Sequence, residues 1–325
     1  MRRRNINPLV VCIIFVLLFS CRNQSYTYDE AVRSLKVLNS DLTNLFLEAD
    51  EKEELKALRF LWDQESAPLP SPGERFTLGK PYKHFDFEAS KGNWIWNADS
   101  AKFLRKEIQD ELDFHFSVED FSNARFLVSQ YESELVSSRP EFPVKMDAQL
   151  WIDGNEKLTI EHSAAVEDKM PLHIQTLVKG TDFEMKGDFN RSRSGNTGSI
   201  EARFYLEYLT RKLIQLQFNS EIGYSRMGYY FEKIDFKINL FSHLVTGNID
   251  YGKIDPTAED YATSFNSNSV IQIFEMPGKR KVGDIVLHTL PDGELLDYHV
   301  KFSNGQMILV NEHLPVLDKI LNLKL

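Results

Sequence analysis

In the stretch Lys145–Asp153, KMDAQLWID, every second residue is apolar. Successive side chains of a β-strand point to opposite faces, so a period of two places these apolar residues on one face. The same period recurs in two later segments, Ser199–Glu207 (SIEARFYLE) and Lys233–Leu240 (KIDFKINL). These segments predict β-strands that turn one face to a core and the other to water.

Short polar segments separate the alternating stretches between Tyr82 and about Tyr251, and their sequences are SKGN, DGN, KGTD and SRSGNTGS. Connections of this length are typical of β-hairpins. We therefore predict that residues 82–254 form an antiparallel β domain, a meander with one wet face. No glycine-rich turn follows a strand and opens a helix, which argues against a nucleotide-binding α/β fold.

A helical segment, residues 28–66, is predicted before this domain. Thr27 and Glu30 have the spacing of a capping box, and the period of the apolar residues that follow predicts helices at Tyr28–Ala49 and Glu51–Gln64. Their apolar stripe either docks on the protein's own sheet or binds a partner or a lipid surface. The apolar positions of the stripe are Ala31, Leu35, Leu38, Leu42, Leu45, Phe46, Ala49, Leu55, Leu58, Leu61 and Trp62. A Pro-rich linker, residues 67–81, ends the segment.

A small C-terminal module is predicted at residues 255–325. A short helix should run from Asp255-Pro256 to about Asn266, and a three-stranded meander should occupy Gly283–Val310 with turns at Asp292-Gly293 and Asn304-Gly305. A final helix should begin at Pro315. The apolar side of the module would consist of Ile285, Leu287, Tyr298, Val300, Phe302, Met307 and Leu309, covered by Leu317, Ile320 and Leu321 of that helix.

The predicted fold class is α+β, with N-terminal amphipathic helices on a large antiparallel meander sheet. The apolar face could be buried in a sandwich of two sheets or in a curled half-barrel folded over the helices. The half-barrel would be similar, in fold only, to periplasmic lipoprotein carriers of the LolA and LolB kind, which hold acyl chains. The tryptophans Trp94, Trp96 and Trp151 would line such a cavity or pack in a filled core.

The N-terminus has the layout of an export signal. Three arginines precede an uninterrupted apolar run, Leu9–Phe19, of eleven residues. A membrane-spanning helix needs about 20 apolar residues, whereas an export signal needs about 7–15. The end of this run and the two residues after it, Leu18-Phe19-Ser20-Cys21, resemble the lipobox of bacterial lipoproteins. We therefore predict a signal peptide at residues 1–20 and a lipidated tether at residues 21–27.

The lipobox resemblance implies a diacylglyceryl thioether on Cys21 that anchors the protein to a membrane. Arg22 follows the cysteine where an aspartate would favour the inner membrane. The resemblance therefore implies an outer-membrane lipoprotein that faces the periplasm. The second cysteine, Cys12, lies inside the signal, so the mature chain is expected to fold without an internal disulfide.

The charge of the chain disfavours nucleic acid as a partner. The 325 residues contain 38 basic and 48 acidic side chains, a net charge of −10. Loss of Met1–Ser20 removes three arginines and leaves 35 basic against 48 acidic side chains, a net charge of −13. An acidic surface repels polyanions beyond short range.

The sequence contains no motif for a known reaction. The patterns G-x-S-x-G, H-E-x-x-H and C-x-x-C do not occur. His115 with Glu119 and Asp120 could form an acid–base pair, but a solvated polar turn explains them as well. Asp110 and Glu111 are adjacent and therefore point to different faces. No catalytic residue and no cofactor is predicted.

One histidine cluster has geometry that could suit a metal. If Asp292-Gly293 is the centre of a tight turn, Leu287 pairs with Tyr298 and His288 pairs with Asp297. His299 then lies on the same face as Asp297. Two imidazoles and a carboxylate suit zinc or iron, but polar residues also gather on any wet face. We expect no tight metal site at His288, Asp297 and His299.

These observations predict a membrane-anchored, periplasm-facing lipoprotein that binds or scaffolds and does not catalyse a reaction. Its partner would be the membrane, through Cys21, together with a protein or a hydrophobic ligand. The alternative is a carrier of lipid or another hydrophobic molecule in a curled-sheet cavity. The third hypothesis is a hydrolase whose site the sequence does not identify.

Overall fold

The structure is a computed structural model that describes residues 26–69, 85–118, 121–136, 139–225, 228–289 and 296–315. Several predicted features lie outside the described residues. They are the signal peptide, Cys21 and most of its tether, residues 70–81 of the Pro-rich linker, Glu119, Asp120, the Asp292-Gly293 turn and the final helix after Pro315.

The described part of the chain is built mainly of long β-strands with a few short helices. The α-helices are α1 (Tyr28–Asp50), α2 (Glu53–Asp63), α3 (Phe87–Ser90), α4 (Tyr261–Ser267) and α5 (Val310–His313). The strands are β1 (Gly92–Asn97), β2 (Lys102–Glu107), β3 (Leu112–Val118), β4 (Phe121–Val136), β5 (Arg139–Ile152), β6 (Asn155–Glu167), β7 (Met170–Gly180), β8 (Phe183–Ser194), β9 (Thr197–Tyr208), β10 (Arg211–Ser225), β11 (Gly228–Leu240), β12 (His243–Asp250), β13 (Ser269–Glu275), β14 (Arg280–Thr289), β15 (Leu296–Lys301) and β16 (Met307–Leu309).

The chain divides into two compact units. Among the described residues, those within 41–241 form a sheet unit, and residues 26–40 together with those within 242–315 form a terminal unit. The second boundary falls at residue 242, whereas the sequence predicted it after residue 254. The reason is that β12 pairs over its length with β13, so it belongs with the C-terminal strands.

The sheet unit contains one open, uncurled sheet in the order β2-β1-β3-β4-β5-β6-β7-β8-β9-β10-β11. Its neighbours are antiparallel, as predicted, except that β1 and β3 run parallel. The predicted sandwich and the curled half-barrel are both wrong for this unit. Short hairpin connections place each strand from β3 to β11 beside its neighbour in sequence. Each strand therefore adds to the same sheet, and the described residues of this unit form no second sheet.

The predicted division between an apolar and a polar face is confirmed by the strand register. Phe218 lies between Ala202 of β9 and Phe236 of β11, and Leu216 lies between Phe204 and Ile238. The apolar residues of neighbouring strands thus stand in rows on one face. Charged and amide side chains form the rows of the other face: Asp188, Arg203, Gln217 and Lys237.

Three of the four predicted turn segments connect adjacent strands. Asp153 and Gly154 both have positive φ, 50° and 81°, as tight hairpin turns require. KGTD connects β7 to β8, and SRSGNTGS connects β8 to β9. The prediction that SKGN connects two strands is wrong, because this segment joins α3 to β1. Asp86 caps α3 by accepting a hydrogen bond from the backbone N–H of Ala89 at 3.0 Å, so a helical turn precedes the first strand.

The core of the sheet unit lies where α2 packs with the first strands. Ala57 and Leu61 of α2 are fully buried in the same apolar cluster as Phe114 and Phe126. Phe60 stacks on Phe116 at 5.4 Å between ring centroids. The tryptophans Trp94 and Trp96 pack against this cluster, so they belong to a filled core.

Helix α1 follows the predicted apolar stripe only in its first part. Ala31, Leu35, Leu38 and Leu42 are buried, but Phe46, which the stripe places inward, is 50% exposed. The predicted capping box forms in one direction: the carboxylate of Glu30 accepts the backbone N–H of Thr27 at 3.0 Å. The hydroxyl of Thr27 donates to the same carboxylate at 2.9 Å. Both hydrogen bonds favour the charged form and so lower the pKa of Glu30.

The terminal unit contains the antiparallel strands β12 to β16 in sequence order. Leu287 pairs with Tyr298 and His288 with Asp297, so the predicted register is confirmed. Two details differ. Helix α4 begins after Asp260, which caps it by accepting the N–H of Thr263, and not near Asp255. Met307 is 38% exposed although the pattern placed it in the core.

Candidate functional site

The apolar face of the sheet unit carries a group of phenylalanines that we call the aromatic strip: Phe189, Phe204, Phe218 and Phe236. Phe189, Phe218 and Phe236 lie in one row across β8, β10 and β11, on either side of Ala202. Phe204 lies in the next row. Period-two alternation in each strand and the hairpin register together bring the four rings to one face.

The aromatic strip is only partly buried. Phe204 is 37% exposed, and the other three rings are half-buried. In contrast, Phe114 and Phe126 on the same face are fully buried beside α2. Within the described residues of this unit, the main helix-to-strand packing is that of α2 on β5. A contiguous group of exposed apolar side chains is typical of an interaction surface.

A buried arginine lies at one end of the strip. Arg191 is 3% exposed and donates hydrogen bonds to the backbone carbonyls of Pro171 and Glu167 and to the hydroxyl of Tyr224, at 2.8, 3.1 and 2.8 Å respectively. These bonds satisfy each of its guanidinium nitrogens. Arg191 therefore fixes three hairpins to one another, and it is not placed to bind a ligand.

A groove of about 750 Å³ lies between the second half of α1 and the β9–β10 turn. Its apolar walls come from Leu45, Tyr208, Leu209, Leu213 and Phe241, and its polar groups are Asp41, Asn44, Glu48 and Arg211. The volume falls within the range of small-molecule sites, about 300–1,000 Å³. This combination of apolar walls and a few polar groups suits an amphipathic ligand.

A three-residue polar cluster lies near the first strands. The guanidinium of Arg125 donates to both carboxylate oxygens of Asp113, at 2.9 and 3.1 Å, and Nε2 of His115 donates at 3.1 Å. Asp113 is only 4% exposed. Burial alone would raise the pKa of Asp113, but the hydrogen bonds from His115 and Arg125 outweigh it and lower the pKa.

This cluster is better suited to structure than to catalysis. A carboxylate held ionised, with both oxygens bonded, is a poor proton acceptor. The guanidinium of Arg125 also lies 5.2 Å from the ring centroid of Trp151, which assigns that tryptophan to a cation–π contact. The sequence paired His115 with Glu119 and Asp120. Spacing could have suggested Asp113, which lies two residues before His115, but its burial could not be foreseen.

A buried histidine in the terminal unit contacts a serine. Nε2 of His243 lies 2.8 Å from the hydroxyl of Ser34, and the two residues are 0% and 6% exposed. A nucleophile must be accessible to substrate, so this pair holds α1 against β12 and does not form a catalytic dyad. Burial lowers the pKa of His243 to about 4.

The pKa of His243 predicts an acid-sensitive terminal unit. The unfolded chain takes up the proton near the ordinary value of 6.5 and the folded chain only near 4. Stability from this residue is therefore complete above pH 6.5 and is lost as pH falls toward 4, by about 3 kcal/mol in all. We expect the protection factors of amides in β12, which are exchange rates corrected for the intrinsic pH dependence of exchange, to fall over this range.

A His243→Gln variant is the control for this prediction, because glutamine keeps a hydrogen-bonding group but does not titrate. The protection factors of its β12 amides should depend less steeply on pH between 6.5 and 4 than those of the wild type. Equal slopes in the two proteins would show that His243 does not cause the effect.

The predicted histidine cluster is only partly assembled. The rings of His288 and His299 lie 5.3 Å apart between centroids. The carboxylate of Asp297 has other partners: it accepts hydrogen bonds from the backbone N–H of Tyr298 and the side chain of Asn311, at 2.7 and 2.8 Å. Across the described ranges, no group of three or more His, Cys, Asp or Glu residues is arranged to hold a metal ion.

The chain matches no protein-family model, no curated protein and no solved structure. None of the helices in the described residues combines the length and the apolar composition needed to cross a membrane.

Proposed function

We propose that this protein is a lipid-anchored protein of the bacterial envelope, held by Cys21 at the periplasmic face of the outer membrane, that binds a partner and does not catalyse a reaction. The observation that carries the binding role is the aromatic strip. Side chains that would stabilise a core are instead presented in register on an accessible sheet face.

The chemistry of the strip indicates what it binds. Its rings are apolar, and their half-buried neighbours in the rows, Ala202 and Leu216, are apolar as well. A ligand on this face gains affinity from burial of apolar surface, and burial of one phenylalanine is worth about 1.5–3 kcal/mol. The favoured occupant is therefore an apolar surface of a partner protein.

A second candidate function is transport of a lipid or another hydrophobic molecule. The groove beside α1 favours it, because its volume of about 750 Å³ and its mixture of apolar walls with charged groups suit an amphipathic molecule. In this form of the carrier hypothesis the ligand would lie in an open groove and not in the cavity of a curled sheet.

Phe204→Ser tests the proposal. We expect this variant to lose bound partner by about tenfold or more, because it removes a ring whose exposed part becomes buried only in the complex. Wild type and variant would be purified from membranes of the protein's own host and compared by native mass spectrometry. Since Phe204 is 37% exposed in the free protein, thermal stability should change little.

Arg203→Ser is the matched control, because Arg203 is adjacent in β9 but points to the polar face. It should retain the bound partner. A co-purifying protein would support the first function, and a co-purifying lipid would support the carrier. Partner retained in Phe204→Ser, or lost equally in both variants, would contradict a role for the strip.

A further inference from the structure

The imidazoles of His288 and His299 share the polar face of β14 and β15. His288 pairs with Asp297, and His299 lies two residues further along β15, so the two histidines are diagonal neighbours. Their ring centroids are 5.3 Å apart and the ring planes are inclined at 60°. His288 is exposed and His299 half-buried, so solvent has access to the pair.

The hydrogen bonds of the two rings fix which nitrogen carries the proton. Nδ1 of His288 lies 2.7 Å from the carbonyl oxygen of Thr289, and Nδ1 of His299 lies 3.1 Å from the carbonyl oxygen of Asp297. A carbonyl oxygen only accepts, so each Nδ1 must donate. In both neutral rings the lone pair is therefore on Nε2, the nitrogen available to a metal.

This arrangement is the usual support of metal-binding histidines. Such a histidine generally donates its other ring N–H to a carbonyl or carboxylate, which fixes the tautomer and raises the basicity of the ligand nitrogen. Here two adjacent histidines both have that support. Metal–nitrogen bonds of about 2.0–2.1 Å require the two Nε2 atoms to lie within about 4.2 Å, which rings 5.3 Å apart between centroids can satisfy.

We propose that His288 and His299 form a two-imidazole site for a divalent transition metal, with the remaining coordination positions taken by water. Asp297 does not belong to the site, because its carboxylate is bound to Tyr298 and Asn311. Imidazole ligands suit copper, nickel and zinc, and copper(II) should bind most tightly in this series. With two protein ligands, the site is open and its metal exchangeable.

The test is a metal titration of the untagged full chain in detergent after treatment with a chelator. Copper(II) binding would be measured by competition with a chromogenic chelator, and the nitrogen ligands would be counted by electron paramagnetic resonance. We expect one copper ion per chain with two imidazole nitrogens. His288→Ala and His299→Ala should each weaken binding by about tenfold or more, since each removes one of two ligands.

Two further variants distinguish this site from other binding. Asp297→Asn should keep copper affinity if the site has two ligands, and a loss comparable to that of the histidine variants would overturn the assignment. His173→Ala removes a histidine in the sheet unit, which is hydrogen-bonded to Asn190, and should have no effect. Absence of saturable copper binding, or binding that survives loss of both His288 and His299, would also overturn the proposal.

Discussion

Replacing Cys21 with alanine is expected to release the mature protein from the membrane almost completely. Burial of acyl chains contributes about 0.8 kcal/mol per methylene, and one chain gives only marginal binding whereas two give a stable anchor. A diacylglyceryl group on Cys21 would therefore account for membrane attachment. The measurement is the share of protein that remains with membranes after high-salt washing.

The experiment must separate lipidation from signal cleavage. A lipoprotein signal peptide that is not modified can stay uncleaved, and its apolar run can then keep the protein in the membrane. The alanine variant should therefore be exported with a secretory signal that is removed independently of lipidation. Cys12→Ala is the matched control, because Cys12 lies within the apolar run and should be dispensable. Labelled palmitate should enter the wild type and not the Cys21 variant.

Two outcomes would contradict the anchor. One is failure of labelled palmitate to enter the wild-type protein. The other is retention of the processed Cys21 variant on membranes after the wash. Either result would leave the aromatic strip as a binding surface but would remove the outer-membrane location from the proposed function.

The period-two alternation predicted the sheet because each strand carries its own pattern. The pairing register of two strands could be predicted where the turn between them has a strong local sequence signal. Asp153-Gly154 is one example, and the pairing of His288 with Asp297 is another. Other turns had no such signal: Asp168-Lys169 and Leu209-Thr210 adopt positive φ without a glycine. The pairing of the flanking strands holds such turns in place, and a local sequence pattern carries no information about that pairing.

The extent of burial could not be predicted from alternation. Phe126 and Phe204 both point to the apolar face of the sheet, yet one is fully buried and the other 37% exposed. The difference comes from α2, which packs near the first strands. The same reasoning applies to the polar residues. The two-residue spacing of Asp113 and His115 could suggest that they form a polar cluster. Their third member, Arg125, comes from the neighbouring strand β4 and could not be inferred from spacing.

The fully buried Phe126 should therefore be far more important for stability than the strip. Phe126 lies between Phe114 of β3 and Leu150 of β5, which are also 0% exposed, and its ring is 5.7 Å from that of Trp62 in α2. Replacement of such a phenylalanine by alanine costs about 3–5 kcal/mol. We expect the upper part of this range for Phe126→Ala, because paired strands on both sides limit collapse of the cavity.

Tryptophan fluorescence during urea unfolding would measure this effect in the sheet unit alone. The four tryptophans, Trp62, Trp94, Trp96 and Trp151, all lie within residues 41–241, so the signal does not report on the terminal unit. Phe204→Ala provides the comparison, since the same side chain is removed from the same face. We expect its loss in unfolding free energy to be about 1 kcal/mol, less than that of a fully buried ring. If the two variants lost equal stability, the aromatic strip would belong to the core of the unit, and its role as an accessible binding surface would be wrong.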